Sequence, residues 1–468
     1  MKSMMDVCYP YFDPDFENLN ERIYGPRVNV DNEDCKNCTV VKVDSLEKQG
    51  PLLEVLQVLI DMDLLISKSY IFSDAGWFMD VIHVKDKLGN KIRDNRVINY
   101  IQQAIYQRGG LKNPQDHVMN SYETTAKSEF CHKCTVIEII GINRPGLFSE
   151  ILAVLAEENC NVIEAHAWSH NDCLACVAYV SDQSTSSYID DPNRLSTIKD
   201  HLSIVLQANS ADDNDHVFIK TCFTESIRSM CQTERRLHQL MLANRDFDGP
   251  PHCCSNTLVS SMRRRKEKKV TIDRCTEKGY LIANIECIDR PKLMFDTVCT
   301  LTDMNYIIFH ASITSDDHFA FQEYYIRHED GYIEDTDEER QVVSKCLEAA
   351  VNRRECEGLR LELCAQNSVG LLPYVTRTFR EHGLTVARAD IEAHGEKTSN
   401  VFYVKDISGN EVDMETVDTL RRELDPLLFQ VKTELKPQKL YSTEKIGFSF
   451  TNLLRSQLEK FTHSFVSP

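Results

Sequence analysis

Four times along the chain, a short alternation of apolar and polar residues runs into a turn and then into apolar residues at helical spacing. The alternations centre on Val41 and Val43, Ile137 and Ile139, Ala283 and Ile285, and Leu361 and Leu363, with Lys42, Glu138, Asn284 and Glu362 between the members of each pair. Side chains that point alternately to the two faces mark a strand with one side buried. Downstream, Leu52, Val55, Leu56 and Leu59, then Phe148, Ile151, Leu152 and Leu155, recur at i, i+3, i+4 and i+7, and Met294, Val298 and Leu301 follow the same rule, as do Leu372, Val375 and Phe379. That spacing lines one helix face, so each helix must pack on a sheet. Aligned on the turn, the copies read Glu47-Lys48-Gln49-Gly50-Pro51-Leu52, Asn143-Arg144-Pro145-Gly146-Leu147-Phe148, Asp289-Arg290-Pro291-Lys292-Leu293-Met294 and Asn367-Ser368-Val369-Gly370-Leu371-Leu372. This is an internal repeat.

Each helix is followed by two more strand-like runs joined by a polar turn: 64–73 with 77–84, 161–169 with 173–180, 307–313 with 319–327, and 384–392 with 399–404. Hairpins fit them, with Asp74-Ala75-Gly76, His170-Asn171-Asp172, Asp316-Asp317 and Gly395 supplying turn chemistry. A second helix is predicted in each copy, over 94–108, 192–206, 336–354 and 413–424. A last strand is visible at 216–223 and 427–435, which completes βαββαβ. In the third copy Leu359 opens the next repeat almost directly after the helix, so its last strand is missing or shared. Sheets with helices on one face and open edges need partners, so the units are expected to pair edge to edge or helix to helix within the chain.

The βαββαβ order and the Asn143-Arg144-Pro145-Gly146-Leu147 turn resemble the ACT domain, a small ferredoxin-like regulatory module that binds amino acids. The whole chain resembles the plant ACT-domain-repeat (ACR) proteins. The residues that carry this are the four copies, the opening Tyr9-Pro10-Tyr11-Phe12-Asp13-Pro14, Gly76-Trp77-Phe78-Met79-Asp80-Val81, Asp289-Arg290-Pro291-Lys292, and Thr233-Glu234-Arg235-Arg236-Leu237-His238. The expected fold class is α+β, with four ferredoxin-like ACT domains in tandem, packed as intramolecular pairs. The expected layout is an N-terminal extension (1–35), ACT domains at 36–112, 132–224, 277–356 and 358–436, a helical and basic linker (225–276) and a tail (437–468).

Composition narrows the function. With 468 residues, 42% hydrophobic and 27% charged, the chain can bury several cores, and units of roughly 80 residues fit the domain-size prior. No apolar run approaches the roughly 18 residues that span a bilayer, since 52–66 is broken by Glu54, Asp61 and Asp63; no membrane partner is expected. The first residues show neither a secretory nor a transit address. A net charge of −19 repels nucleic-acid backbones, so general nucleic-acid binding is not expected. The expected location is cytoplasmic, and also nuclear if the basic run Arg263-Arg264-Arg265-Lys266-Glu267-Lys268-Lys269 serves in import rather than as a solvated linker.

The 18 cysteines are read as reduced thiols. Cys35/Cys38 and Cys131/Cys134 stand at the same place in two repeats, and a four-thiolate zinc site would fit them. The second member of each pair also enters a strand, where Cys serves as a small apolar residue. His166, His170, Cys173 and Cys176 form another metal-like string, but His170 falls on a hairpin turn and Cys173 and Cys176 point to opposite faces. No metal and no cofactor are assigned.

The turns offer binding chemistry. A helix start supplies unpaired N–H groups and a favourable dipole for a carboxylate, a glycine there lets a ligand approach the backbone, and a side-chain amide can serve an ammonium or a carboxylate. By resemblance to ligand-binding ACT domains, the contacts come from the residue three before the glycine and from the start of the second strand, across paired domains. Copy two matches with Asn143, Gly146 and Asn161, whereas Leu65, Ile307 and Thr385 replace Asn161 elsewhere and Lys292 replaces the glycine in copy three. The candidate ligand residues are Asn143, Arg144, Gly146, Leu147, Asn161, Gly50, Asn367 and Gly370. Against this stands a plainer reading, in which the glycines only satisfy tight turns and Asn143 and Asn367 cap helices. No Walker loop, nucleophile elbow, dinucleotide fingerprint or nucleotidyltransferase signature is present, although ACT domains also form the tail of a bacterial glutamine-sensing uridylyltransferase. The expected function is a non-catalytic amino-acid sensor acting on a protein client; the alternative is a ligand-free ACT-repeat scaffold. The predicted linker helix near Arg235 and Leu237, or the basic run, is the expected output surface.

Overall fold

The computed structural model describes residues 27–45, 52–74, 77–109, 134–207, 218–224, 230–248, 269–275, 279–316, 318–331, 336–354, 358–368, 370–408, 412–424 and 429–432. The turn carrying Gly50, most of the basic run and the tail lie outside the described residues. Strand β1 (Arg27–Asp31) precedes copy one, which comprises β2 (Thr39–Ser45), α1 (Leu52–Asp61), β3 (Leu65–Asp74), β4 (Trp77–Lys85) and α2 (Asn95–Gly109). Copy two comprises β5 (Cys134–Ile142), α3 (Leu147–Glu157), β6 (Cys160–His170), β7 (Cys173–Asp182), α4 (Pro192–Gln207) and β8 (Phe218–Thr224). The linker forms helix α5 (Met230–Ala243) and a short 3-10 turn, Asp246–Asp248, and then β9 (Lys269–Cys275). Copy three has β10 (Tyr280–Ile288), α6 (Leu293–Asp303), β11 (Tyr306–Asp316), β12 (Phe319–His328) and α7 (Asp337–Arg353). Copy four has β13 (Leu359–Gln366), α8 (Leu371–Glu381), β14 (Leu384–His394), β15 (Lys397–Asp406), α9 (Met414–Leu424) and β16 (Phe429–Lys432). No helix among the described residues is long and apolar enough to cross a membrane.

The strands form two antiparallel eight-stranded sheets, β1-β2-β4-β3-β11-β12-β10-β9 and β16-β13-β15-β14-β6-β7-β5-β8. Copy one therefore pairs with copy three through β3 and β11, and copy two with copy four through β14 and β6. First helices also meet across each boundary, α1 with α6 and α3 with α8. Both modes of pairing open to the sequence are used at once. The β14–β6 register, with Arg388 opposite Trp168, Asp390 opposite His166 and Glu392 opposite Glu164, reads the same from either copy, so a pseudo-two-fold axis passes at His166 and Asp390.

The strand that copy three lacks downstream is supplied from upstream. β9 lies antiparallel to β10, in the place that β8 takes beside β5 and β16 beside β13. β1 does the same for β2. Copies one and three thus run ββαββα, with their edge strands drawn from stretches that read as extension and linker. The reason is the open first-strand edge, which any adjoining extended segment can cover.

The linker helix is not a free surface. Leu237, Leu240 and Met241 of α5 pack on the face of the second sheet that its own helices leave open, against Trp168, Ala175, Val177 and Tyr179. Its far side meets α1 and α6. Helix α5 is a wedge between the helix layer of copies one and three and the sheet of copies two and four. Leu237 is fully buried and Arg235, partly exposed, holds Asp303 at 2.7 Å, so in this arrangement the helix is packed rather than presented. Burial of each such leucine stabilises the fold by about 1.5–3 kcal/mol.

Candidate functional site

The second helices of the repeats begin on side-chain caps. Asp94 accepts from the Arg96 N–H at 2.8 Å, Asp191 from Asn193 at 3.0 Å, Thr336 from Glu339 at 3.2 Å and Asp413 from Thr416 at 2.7 Å. The three first helices whose starts are described do not. α3, α6 and α8 each start from a left-handed residue, Gly146 (φ 82°), Lys292 (φ 66°) and Gly370 (φ 80°), with no side-chain cap. Asn143 and Asn367 are therefore not helix caps. Their backbone N–H groups donate to Asp172 and Glu396 carbonyls, both at 2.6 Å, which fixes each turn against the hairpin of its own copy. An uncapped helix start exposes partial positive charge suited to a carboxylate.

At copy two this start faces another domain. Asn143, Arg144, Gly146, Phe148 and Ser149 line a shallow recess, open to solvent, with Thr376, Arg380, Leu384, Thr385 and Val386 of copy four. Asn143 and Asn161 are not brought together, although they lie in the same copy. The two-fold that sets Thr385 beside the copy-two turn sets its counterpart Asn161 on the other side of the axis, toward Asn367 and Gly370. A site that draws its two halves from different copies cannot be assembled by reading one copy.

Two candidates have structural duties. Leu147 is buried in the core beneath α3. Arg144 grips the Glu150 carboxylate (Nη1 to Oε1 3.0 Å) and donates to the Val205 carbonyl at 3.0 Å, tying the first helix to the second. This hydrogen bonding raises the guanidinium's pKa and holds Glu150 below the usual range. Arg290 makes the matching pair of contacts in copy three, to Asp296 (2.6 Å) and the Val351 carbonyl (2.9 Å).

Arg380, absent from the sequence-based candidates, completes the recess. It extends from the last turn of α8 across the copy-two turn, 3.6 Å from Glu150. A Cβ added at Gly146 would stand 2.6 Å from its Cδ. The position is Ala156 in α3 and Thr302 in α6, so no repeat pattern points to it. Gly146→Ala should destabilise the protein by about 1–2 kcal/mol, the cost of a Cβ in left-handed backbone, and should displace Arg380; urea unfolding measures the first.

The copy-three turn is already filled. Lys292 Nζ donates to both carboxylate oxygens of Glu234 on α5, each at 2.9 Å. Arg354, which follows α7, reaches Glu234 at 2.5 Å and both oxygens of Asp296 at 2.8 and 3.0 Å. Its guanidinium lies 4.9 Å from the Trp168 ring of copy two. Arg353 donates to His238 Nδ1 at 3.0 Å, leaving the Nε2–H to donate to Asp296, also at 3.0 Å. Burial together with these arginines depresses the His238 pKa despite Asp296 beside it. Burial opposes ionisation of Glu234 and Asp296, but Arg354 with Lys292 or Arg290 outweighs it and keeps both carboxyls below their usual range.

The histidines of the metal-like string are held by carboxylates. His166 touches Asp390 and Glu164 at 2.9 Å each, and His170 touches Asp246 at 2.9 Å. Cys176 lies in the core under the helices whereas Cys173 takes a hydrogen bond from Asn244, on opposite faces as the strand period requires. Cys134 sits in the second sheet beneath α5 and Cys38 immediately precedes β2 of the first, so the described residues do not assemble the four-thiolate zinc site; Cys131 lies outside them.

Known proteins match this chain along its length. The family model for the ACR family N-terminal ACT domain matches residues 34–110, and one for the ACT domain matches 133–209. ACT domain-containing protein ACR2 of Arabidopsis thaliana is 50% identical, covering 99% of both chains. ACR3 of the same organism is 48% identical over 97% of this chain and all of its own. A bifunctional uridylyltransferase/uridylyl-removing enzyme of Bradyrhizobium diazoefficiens is 33% identical over 89 residues, 10% of that protein. The two sheets of paired ferredoxin-like units and the near-complete match to these plant proteins make this chain a member of the ACR family of regulatory ACT-domain-repeat proteins.

Proposed function

We propose that this protein senses a free amino acid, bound between copies two and four, and passes that state to a protein client without catalysis of its own. The observation that carries the reading is the uncapped start of α3 at Gly146, facing Thr385 and Arg380 of the paired copy. The ligand carboxylate is placed at the first-turn N–H groups and the Arg380 guanidinium, and its ammonium at the oxygens of Asn143, Ser149 and Thr385. A ligand that bridges two copies favours their docked arrangement by its differential affinity, which is the requirement for a sensor. Copy three, whose turn holds Glu234, is assigned no free ligand.

Calorimetric titration with each of the proteinogenic amino acids should give saturable heat for at least one. Arg380→Ala should then weaken binding by about 1.5–3 kcal/mol, the worth of a hydrogen bond to a charged group. No saturable heat with any amino acid would favour a ligand-free scaffold instead.

A further inference from the structure

We propose that Cys35, Cys38 and His83 of copy one form a zinc-binding site with a fourth coordination position open to solvent or to an external donor. The three ligand atoms lie within 4.8 Å of one another. Cys38 Sγ is 3.0 Å from Cys35 Sγ and 3.3 Å from His83 Nδ1. Tetrahedral zinc, with bonds of about 2.3 Å to sulfur and 2.0 Å to nitrogen, sets such atoms roughly 3.4–3.8 Å apart, so shifts on the order of 1 Å admit the ion. Two thiolates and an imidazole are the donor set that zinc favours over the hard cations.

The loop is built in advance. Cys38 Sγ lies against Cys35 Sγ, so the turn presents both sulfurs on one side. Thr39 donates to Asn32 at 2.7 Å and accepts from the Ile92 N–H at 2.9 Å, while Lys91 donates to the Asn32 carbonyl at 2.6 Å. Across the sheet, His83 stands opposite Val40, on the face that Cys38 shares.

The other repeats show that this arrangement belongs to copy one. The residue in the place of His83 is Tyr179 opposite Val136, Tyr325 opposite Ile282 and Tyr403 opposite Arg360. Copy two keeps a Cys-x-x-Cys before its first strand, but Tyr179 hydrogen-bonds Thr233 of α5 at 2.8 Å, beneath the wedge. Among the described residues, an imidazole meets a cysteine pair in copy one alone. An ion there would release the two thiol protons to solvent and pin the β1–β2 connection onto β4.

Reduced full-length protein, stripped by a chelator and titrated with cobalt(II), should bind a single ion with thiolate charge-transfer and tetrahedral d–d absorption, and zinc should displace it. Cys35→Ser should abolish the charge-transfer band. His83→Gln should weaken zinc binding by more than the roughly 10–100-fold that loss of an outer hydrogen bond costs. Cys131→Ser should bind as the unaltered protein does, and circular dichroism of the metal-free variants should match the parent. A spectrum without thiolate bands, one that survives Cys35→Ser, or one lost in Cys131→Ser would overturn the proposal.

Discussion

Glu234→Ala is expected to destabilise the protein by about 3–5 kcal/mol, because it removes one carboxylate from a buried ion network and strands its cations. Lys292 would lose the carboxylate it holds, and Arg354 would keep only Asp296 as an ionic partner. This loss falls where linker, copy three and copy two meet, so the wedge should loosen from both layers. The native carboxyls of Glu234 and Asp296 titrate below the usual range, so their contribution is fully present above the ordinary carboxylate pKa and fades as pH falls through the depressed one. Urea unfolding of parent and variant at neutral and acidic pH should therefore show a difference that shrinks on acidification. Equal stability at neutral pH would mean that the network does not hold the wedge.

His166→Ala is expected to cost about the same, roughly 3–5 kcal/mol, at the other centre of the molecule. The imidazole lies on the pseudo-two-fold axis, fully buried between Glu164 and Asp390, and Arg388 donates to the far oxygen of Asp390 at 2.9 Å. Without His166 the two carboxylates face each other with one guanidinium between copies two and four. Burial works against protonation of His166, but Asp390 and then Glu164 lift its pKa to about 9. A pKa raised on folding gives stability that is complete below the ordinary histidine value of 6.5 and is lost as pH rises through about 9. Unfolding followed from pH 6 to 10 should show this decline in the parent and not in the variant. A parent with constant stability across that range would mean a neutral imidazole at the axis.

Local structure was legible because each repeat obeys two periods and marks its helix starts. Asp94, Asp191, Thr336 and Asp413 begin the second helices within a residue of the expected bounds, since an acceptor before an apolar helical pattern satisfies the first-turn N–H groups. Pairing within the chain also followed from open edges, but not which copies pair: β3 and β6 carry the same pattern, and no local feature ties β3 to β11 rather than to β6. β1 and β9 escaped notice because five- and seven-residue edge strands carry little periodicity and fell in stretches assigned elsewhere. Asn143 and Gly146 stand out through turn chemistry that is local. Arg380 and Thr385 do not, because their place beside that turn depends on a neighbour more than two hundred residues away in sequence, which the register across His166 and Asp390 brings close. Similarly, the linker helix near Arg235 and Leu237 is expected from its sequence to offer an output surface, whereas Glu234 and His238 beside them meet buried counterparts from copy three, which no local pattern in the linker shows.

Hydrogen exchange of the full chain, with and without the amino acid that gives saturable heat, tests whether one amino-acid site is built from copies two and four together. Protection is expected over residues 143–149 and 376–386 in the same experiment, with the copy-three turn around Lys292 unchanged. Protection confined to one of those two segments, or appearing at the copy-three turn, would contradict such a site.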